Sequence, residues 1–178
     1  MDFSEPFIER AVCEILYPGT LIYHEKRASL CKNFVDKLPY WSLNIPILEL
    51  RDQSKTEEAQ KIFTIGSKHA SLIYKNPGVY DNFIGLASFL IYRSVEQLEI
   101  ERLQRLGIRT FHFIETDASF DELKNVLIEK LFNRENTNRI GSINDLAWVI
   151  VISDKGYGLR ISTGPLSPKE IKEGYYLK

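Results

Sequence analysis

A change of hydrophobic period at Pro18-Gly19 constrains this chain more than any other feature. In residues 7–17 the side chains of Phe7, Ala11, Cys13, Ile15 and Tyr17 fall on one side of a two-residue repeat, the mark of a half-buried strand. Beyond the Pro-Gly break, Leu21, Ala28, Cys31, Phe34, Val35 and Leu38 recur at helical spacing, while Glu25, Lys26, Arg27, Lys32 and Asp36 take other positions. A strand leading straight into an amphipathic helix, which Pro39 ends, calls for a helix packed on a sheet.

The rest of the chain extends that plan. Trp41, Leu43, Ile45 and Ile47 alternate with Ser42, Asn44 and Pro46, which predicts a half-buried strand that Pro46 puts at a sheet edge or at a bulge. A bulge near Pro46 accounts for the slip of register to Leu48 and Leu50. A polar loop over 52–60 precedes two short apolar runs, 61–65 and 70–75, joined by Gly66-Ser67-Lys68-His69 as a β-hairpin.

Asn76-Pro77-Gly78 then breaks the strand, and a long helix is predicted from Asp81 or Asn82 to about Leu103, its first half apolar almost all round. A strand follows over 108–115. Ser119 and Glu122 form a capping box for a third helix, with Phe120, Leu123, Leu127 and Leu131 as its stripe and an end near Phe132. Residues 146–153 and 157–163 flank Asp154-Lys155-Gly156 as a closing hairpin.

The predicted order is β-α-β-β-β-α-β-α-β-β. It describes an α+β fold, with an antiparallel or mixed sheet, helices packed on one face and a split β-α-β connection. The expected organisation is one domain over 1–132, a linker or loop over 133–145, and a hairpin with its tail over 146–178 packed on the same domain.

With 178 residues, of which 44% are hydrophobic and 26% charged, the chain can bury a single core without disulfides or metals. Its 23 basic and 24 acidic residues nearly cancel, so bulk charge names no polyanionic partner, and a nucleic-acid role needs a local patch. The start of the chain lacks the basic and apolar regions of a secretory signal, and no uncharged run approaches bilayer length; a cytoplasmic protein outside the membrane is expected. Cys13 and Cys31 fit the same reducing setting, as thiols rather than a disulfide.

Two segments resemble a family. The opening Glu5-Pro6-Phe7-Ile8-Glu9-Arg10-Ala11 and the later Arg105-Leu106-Gly107-Ile108-Arg109-Thr110-Phe111 resemble the proline-apolar-Glu strand and the Gly-Leu-Arg-Tyr-like strand of a sporadically distributed family of uncharacterised bacterial proteins. Leu38-Pro39-Tyr40, the turn at Gly66-Ser67-Lys68 and a helix after Tyr80 fall in the family's order, so the resemblance covers residues 5–115. The chain departs at His112-Phe113, where the family has an Asn followed by a basic residue. The resemblance implies an α+β module in which Arg105, Gly107 and Arg109 share a strand entry, and it brings no catalytic residue.

Chemistry is sparse. His24, His69 and His112 stand at no metal-ligand spacing to one another or to a cysteine, which excludes a sequence-local zinc site and leaves a distributed one open; no metal ligand or cofactor is assigned. Gly156-Tyr157-Gly158 begins like a dinucleotide fingerprint but runs on into strand pattern, and no Gly-x-Ser-x-Gly elbow occurs. Alternation along the 108–115 strand sets His112 on the face opposite Arg109, Phe111, Phe113 and Glu115, with Arg109 expected to brace Glu9 or Glu14 on the first strand.

These residues support three readings. The leading one is a non-enzymatic binding or protein-interaction module, self-associating or holding another protein, with Arg105, Arg109, His112 and Glu115 as candidate binding residues. The apolar start of the long helix and the strand bearing Pro46 are the surfaces it would use. The second is an enzyme whose pocket gathers Arg109, His112, Glu115 and Glu9; the third binds nucleic acid through Arg102, Arg105 and Arg109, with Phe111 and Phe113 as stacking surfaces.

Overall fold

The computed structural model describes residues 4–44, 46–131, 148–154 and 157–165. The chain divides into two compact units, Ser4–Glu115 and Thr116–Lys178 together with Met1–Phe3. The boundary expected after residue 132 thus falls after Glu115. Third helix and final hairpin belong to the second unit, and the 133–145 linker and the tail from residue 166 lie outside the described residues.

The first unit is an α+β sandwich. Its strands are β1 (Phe7–Leu16), β2 (Tyr40–Asn44), β3 (Ile47–Arg51), β4 (Lys61–Ile65), β5 (His69–Lys75) and β6 (Arg105–Phe113), and its helices are α1 (Ile22–Phe34) and α2 (Tyr80–Gln97). The six strands form one sheet in the order β2-β3-β4-β5-β1-β6, with every neighbouring pair antiparallel. β5, α2 and β6 make the split connection, because β1 lies between the two strands that α2 joins.

One face of the sheet carries the core. Ala11, Cys13 and Ile15 of β1, Leu48 and Leu50 of β3, Phe63 and Ile65 of β4, and Ala70 and Leu72 of β5 are buried against Tyr23, Leu30 and Phe34 of α1 and Phe83, Ala87 and Leu90 of α2. Phe34 is the hub, edge-on to Phe63 at 5.4 Å and to Phe89 at 6.3 Å between ring centroids. The apolar start of α2 is therefore spent on the core. Ser94, the buried polar residue of that helix, donates its hydroxyl to the Leu90 carbonyl at 2.7 Å.

The last strand of the sheet runs over Arg105–Phe113 rather than 108–115, and three larger details differ from the sequence reading. The stretch around Pro46 is a hairpin of two strands, so the order contains one strand more than predicted: Asn44 faces Ile47, Leu43 faces Leu48 and Trp41 faces Leu50. The chain reverses where Pro46 has no N–H to give to a ladder. The slip that resembled a bulge arises because two antiparallel strands each keep their own alternation.

A bulge does occur, at Glu9. The β1–β6 register shifts between Ile8 and Arg10, so Ile8 packs against the core, while Phe7 is 41% exposed and leaves the face that Ala11, Cys13 and Ile15 define.

The long helix ends at Gln97, well short of Leu103. Glu99 adopts φ +53°, the Ile100 N–H reaches back to the Val95 carbonyl at 3.0 Å, and the Glu99 N–H to the Glu96 carbonyl at 3.3 Å. This is a Schellman ending, closed by Val95 and Ile100 packed on the same core. Glutamate stands where glycine is usual, which is why the sequence did not announce it.

In the second unit, α3 (Phe120–Leu131) begins with the predicted box. The Ser119 N–H donates to Glu122 Oε2 at 2.8 Å and the Glu122 N–H to Ser119 Oγ at 3.3 Å. β7 (Trp148–Asp154) and β8 (Tyr157–Thr163) pair antiparallel as a separate sheet.

Candidate functional site

The sheet of the first unit has two edges, β2 and β6. β2 has five residues and β6 has nine. β6 forms where it does because the Schellman turn releases the chain from α2, the Gln104 N–H is caught by the Leu16 carbonyl at 2.8 Å, and Ile108, Thr110, Phe111 and Phe113 are strong strand formers. Pairing continues past the end of the strand, where the Ser4 N–H donates to the Glu115 carbonyl at 2.8 Å and the Glu115 N–H to Ser4 Oγ at 2.8 Å.

Register assigns each side chain a face. Leu106, Ile108 and Thr110 stand opposite Ile15, Cys13 and Ala11, on the face that carries the core. Yet Leu106 is 60% and Ile108 52% exposed, and Ile114 beyond them 53%. Arg105, Gly107, Arg109 and Phe111 stand opposite Leu16, Glu14, Val12 and Arg10 on the other face. Segments 5–11 and 105–111 thus lie side by side, and Arg105, Gly107 and Arg109 share one face of β6.

The candidate binding residues separate accordingly. Arg105 and Arg109 are exposed and on the same side, with the Arg105 guanidinium lying over Gly107 at 3.6 Å from where a Cβ would stand. His112, opposite Ile8, is exposed on the core-bearing side, and Glu115 is exposed past the strand end. The expected brace is made by a different arginine: Arg10 pairs with Glu9 at 3.0 Å and stacks over the Phe111 ring at 5.7 Å. Phe113 meets Phe7 edge-on at 6.0 Å.

Arg109, opposite Val12, and His112, opposite Ile8, stand on opposite faces of β6, so the strand does not turn them into one pocket. A cavity of about 230 Å³ has Arg102 on its wall with Pro18, Thr20, Leu98 and Ile100, so Arg102 belongs to the helix exit rather than to the β6 face. Another, of about 340 Å³, is lined by Lys37, Lys61, Tyr74, Asn82 and Leu86 on the helix side. Among the described residues no three His, Cys, Asp or Glu side chains come together as a metal site, and no helix is long and apolar enough to cross a membrane.

The cysteines are not poised for chemistry. Burial, then the Glu14 carboxylate, pushes the Cys13 thiol up from its ordinary range, and burial does the same to Cys31.

What sequence reasoning missed is the aliphatic half of the site, Leu106 and Ile108. They read as ordinary strand residues until β1 is known to lie between β5 and β6, which makes β6 the last strand on its side of the sheet. The chain matches no family model, no curated protein and no solved structure to a significant degree.

Proposed function

We propose that the chain is a non-enzymatic protein-interaction module that takes a partner strand along the outer edge of β6. One observation carries this reading: a nine-residue edge strand without proline that holds Leu106 and Ile108 out, 60% and 52% exposed, beside a closed core. A long edge of this kind offers unpaired backbone donors and acceptors next to apolar side chains, an arrangement that sheet proteins cover or use. β2, at five residues, offers less backbone. The unlinked cysteines fit a reducing compartment such as the cytoplasm.

The test is affinity capture from an extract of the source cells with the wild-type chain and with Leu106→Lys/Ile108→Lys, checked for equal folding by near-ultraviolet circular dichroism. The reading expects a polypeptide, a second copy included, that the wild type holds and the variant releases. Equal retention by both proteins removes β6 from the interaction.

A second reading, nucleic-acid binding, is favoured by the placement of Arg105, Arg109 and Phe111 on one face of β6 with Arg10 and Lys75 in register beside them. Glu14 opposite Gly107 and the Glu9–Arg10 pair weigh against it. Retention of an oligonucleotide that falls steeply with added salt, and is lost in Arg105→Ala/Arg109→Ala, is its signature.

A further inference from the structure

We infer that the strand taken by β6 is the β6 of a second copy, running antiparallel about a two-fold axis at Thr110. The inference rests on the reading of β6 as the binding edge and adds the partner and the register.

The argument is self-complementarity. A two-fold axis normal to the sheet places residues equally far before and after the axis opposite one another on the same face. With the axis at Thr110, Arg105 meets Glu115 of the second copy, a pair of opposite charges, and Leu106 meets Ile114, joining two exposed aliphatic side chains. Gly107 meets Phe113, so an aromatic ring covers the glycine, and the Arg105 guanidinium that lies over Gly107 in the single chain swings to Glu115.

Ile108 meets His112, and Thr110 meets Thr110. Arg109 meets Phe111, whose ring already carries Arg10 at 5.7 Å on its inner side. Both arginines of β6 thereby find a partner.

Neighbouring registers do less. An axis at Arg109 sets the two Arg109 guanidinium groups against each other. An axis at Phe111 places Glu115 against Gly107 and leaves Arg105 without a β6 partner. The axis at Thr110 uses the whole run 105–115, and it keeps both helix layers on the same face, so two six-stranded sheets join into one continuous sheet.

Sedimentation velocity of the full chain across micromolar concentrations gives the first readout, with a dimer expected. Arg105→Glu sets like charges opposite at two symmetric places and weakens the dimer by about tenfold, as does Glu115→Arg, while the double exchange Arg105→Glu/Glu115→Arg restores it.

In a Cys31→Ser background, single cysteines at positions 109, 110, 111 and 112 are then oxidised mildly. Thr110→Cys gives the most disulfide-linked dimer, since a directly opposed pair has the Cα separation a disulfide needs. A wild-type monomer at these concentrations overturns the second copy as partner and leaves the edge reading to its own capture test. A dimer without rescue by the charge exchange, or with maximal cross-linking at another position, overturns the register. A dimer indifferent to Leu106→Lys/Ile108→Lys but lost in Trp41→Lys overturns both this inference and the edge reading.

Discussion

The Tyr17 hydroxyl donates to the Gly66 carbonyl at 2.6 Å, with the His69 carbonyl at 3.0 Å as its second neighbour, and so binds the end of β1 to the tip of the β4–β5 hairpin. The backbone repeats the link, since the Tyr17 N–H reaches the Lys68 carbonyl and the Thr20 N–H the Ser67 carbonyl, both at 3.0 Å. Burial pushes the phenol well above its ordinary range, so it stays protonated and donating. Tyr17→Phe strands the Gly66 carbonyl in the interior and lowers stability by about 1–2 kcal/mol, read from the urea midpoint at unchanged slope. A midpoint equal to wild type would show that water satisfies the carbonyl instead.

At the end of α2, Glu99 pays in backbone strain for a turn that glycine makes freely. Because its φ is +53° while Val95 and Ile100 already hold the turn closed, Glu99→Gly raises stability by roughly 0.5–1 kcal/mol. Thermal unfolding of the two proteins decides it; a lower midpoint for the variant would mean that the Glu99 side chain holds something there that glycine cannot.

The start of α3 gives a pH dependence. Hydrogen bonds from the Ser119 backbone N–H, then from its hydroxyl, hold the Glu122 carboxyl below the ordinary glutamate range. The folded value is depressed, so the box stabilises the helix above the unfolded titration range and that contribution fades as pH falls. Carbon-detected NMR of Glu122 should show the low titration, and Ser119→Ala should move it upward. An unmoved titration would remove the box.

Thiol chemistry separates the cysteines. Cys13 is 4% exposed and its thiol is raised by burial, so an aromatic disulfide reagent should leave it untouched until the first unit unfolds. Half-buried Cys31 reacts slowly near neutral pH and faster as pH rises. Rapid labelling of both in native buffer would show that β1 opens locally.

Much of this molecule was legible from local pattern. The period change at Pro18-Gly19, the hairpin at 66–69 and the Ser119–Glu122 box all depend on residues close in sequence. The failures share a cause. The reversal at Pro46 mimics a bulged strand because both arrangements shift apolar parity by one. The displacement of Phe7 requires knowing how β1 meets β6, a pairing a hundred residues apart. For the candidate site, the shared face of Arg105 and Arg109 follows from alternation alone. The exposure of Leu106 and Ile108 follows from strand order, which no local period encodes.

The position of β1 bears on synthesis. β1 leaves the ribosome before either of its neighbours in the finished sheet, His69–Lys75 and Arg105–Phe113, although it lies between them. At about 5–20 residues per second, Ala11, Cys13 and Ile15 wait several seconds for their partners, an interval in which a nascent chain depends on chaperones or on its own loose collapse. The same arrangement makes β1 a natural piece for complementation: a fragment starting after Pro18-Gly19 lacks the strand that joins β5 to β6, and a synthetic peptide of residues 4–19 supplies it.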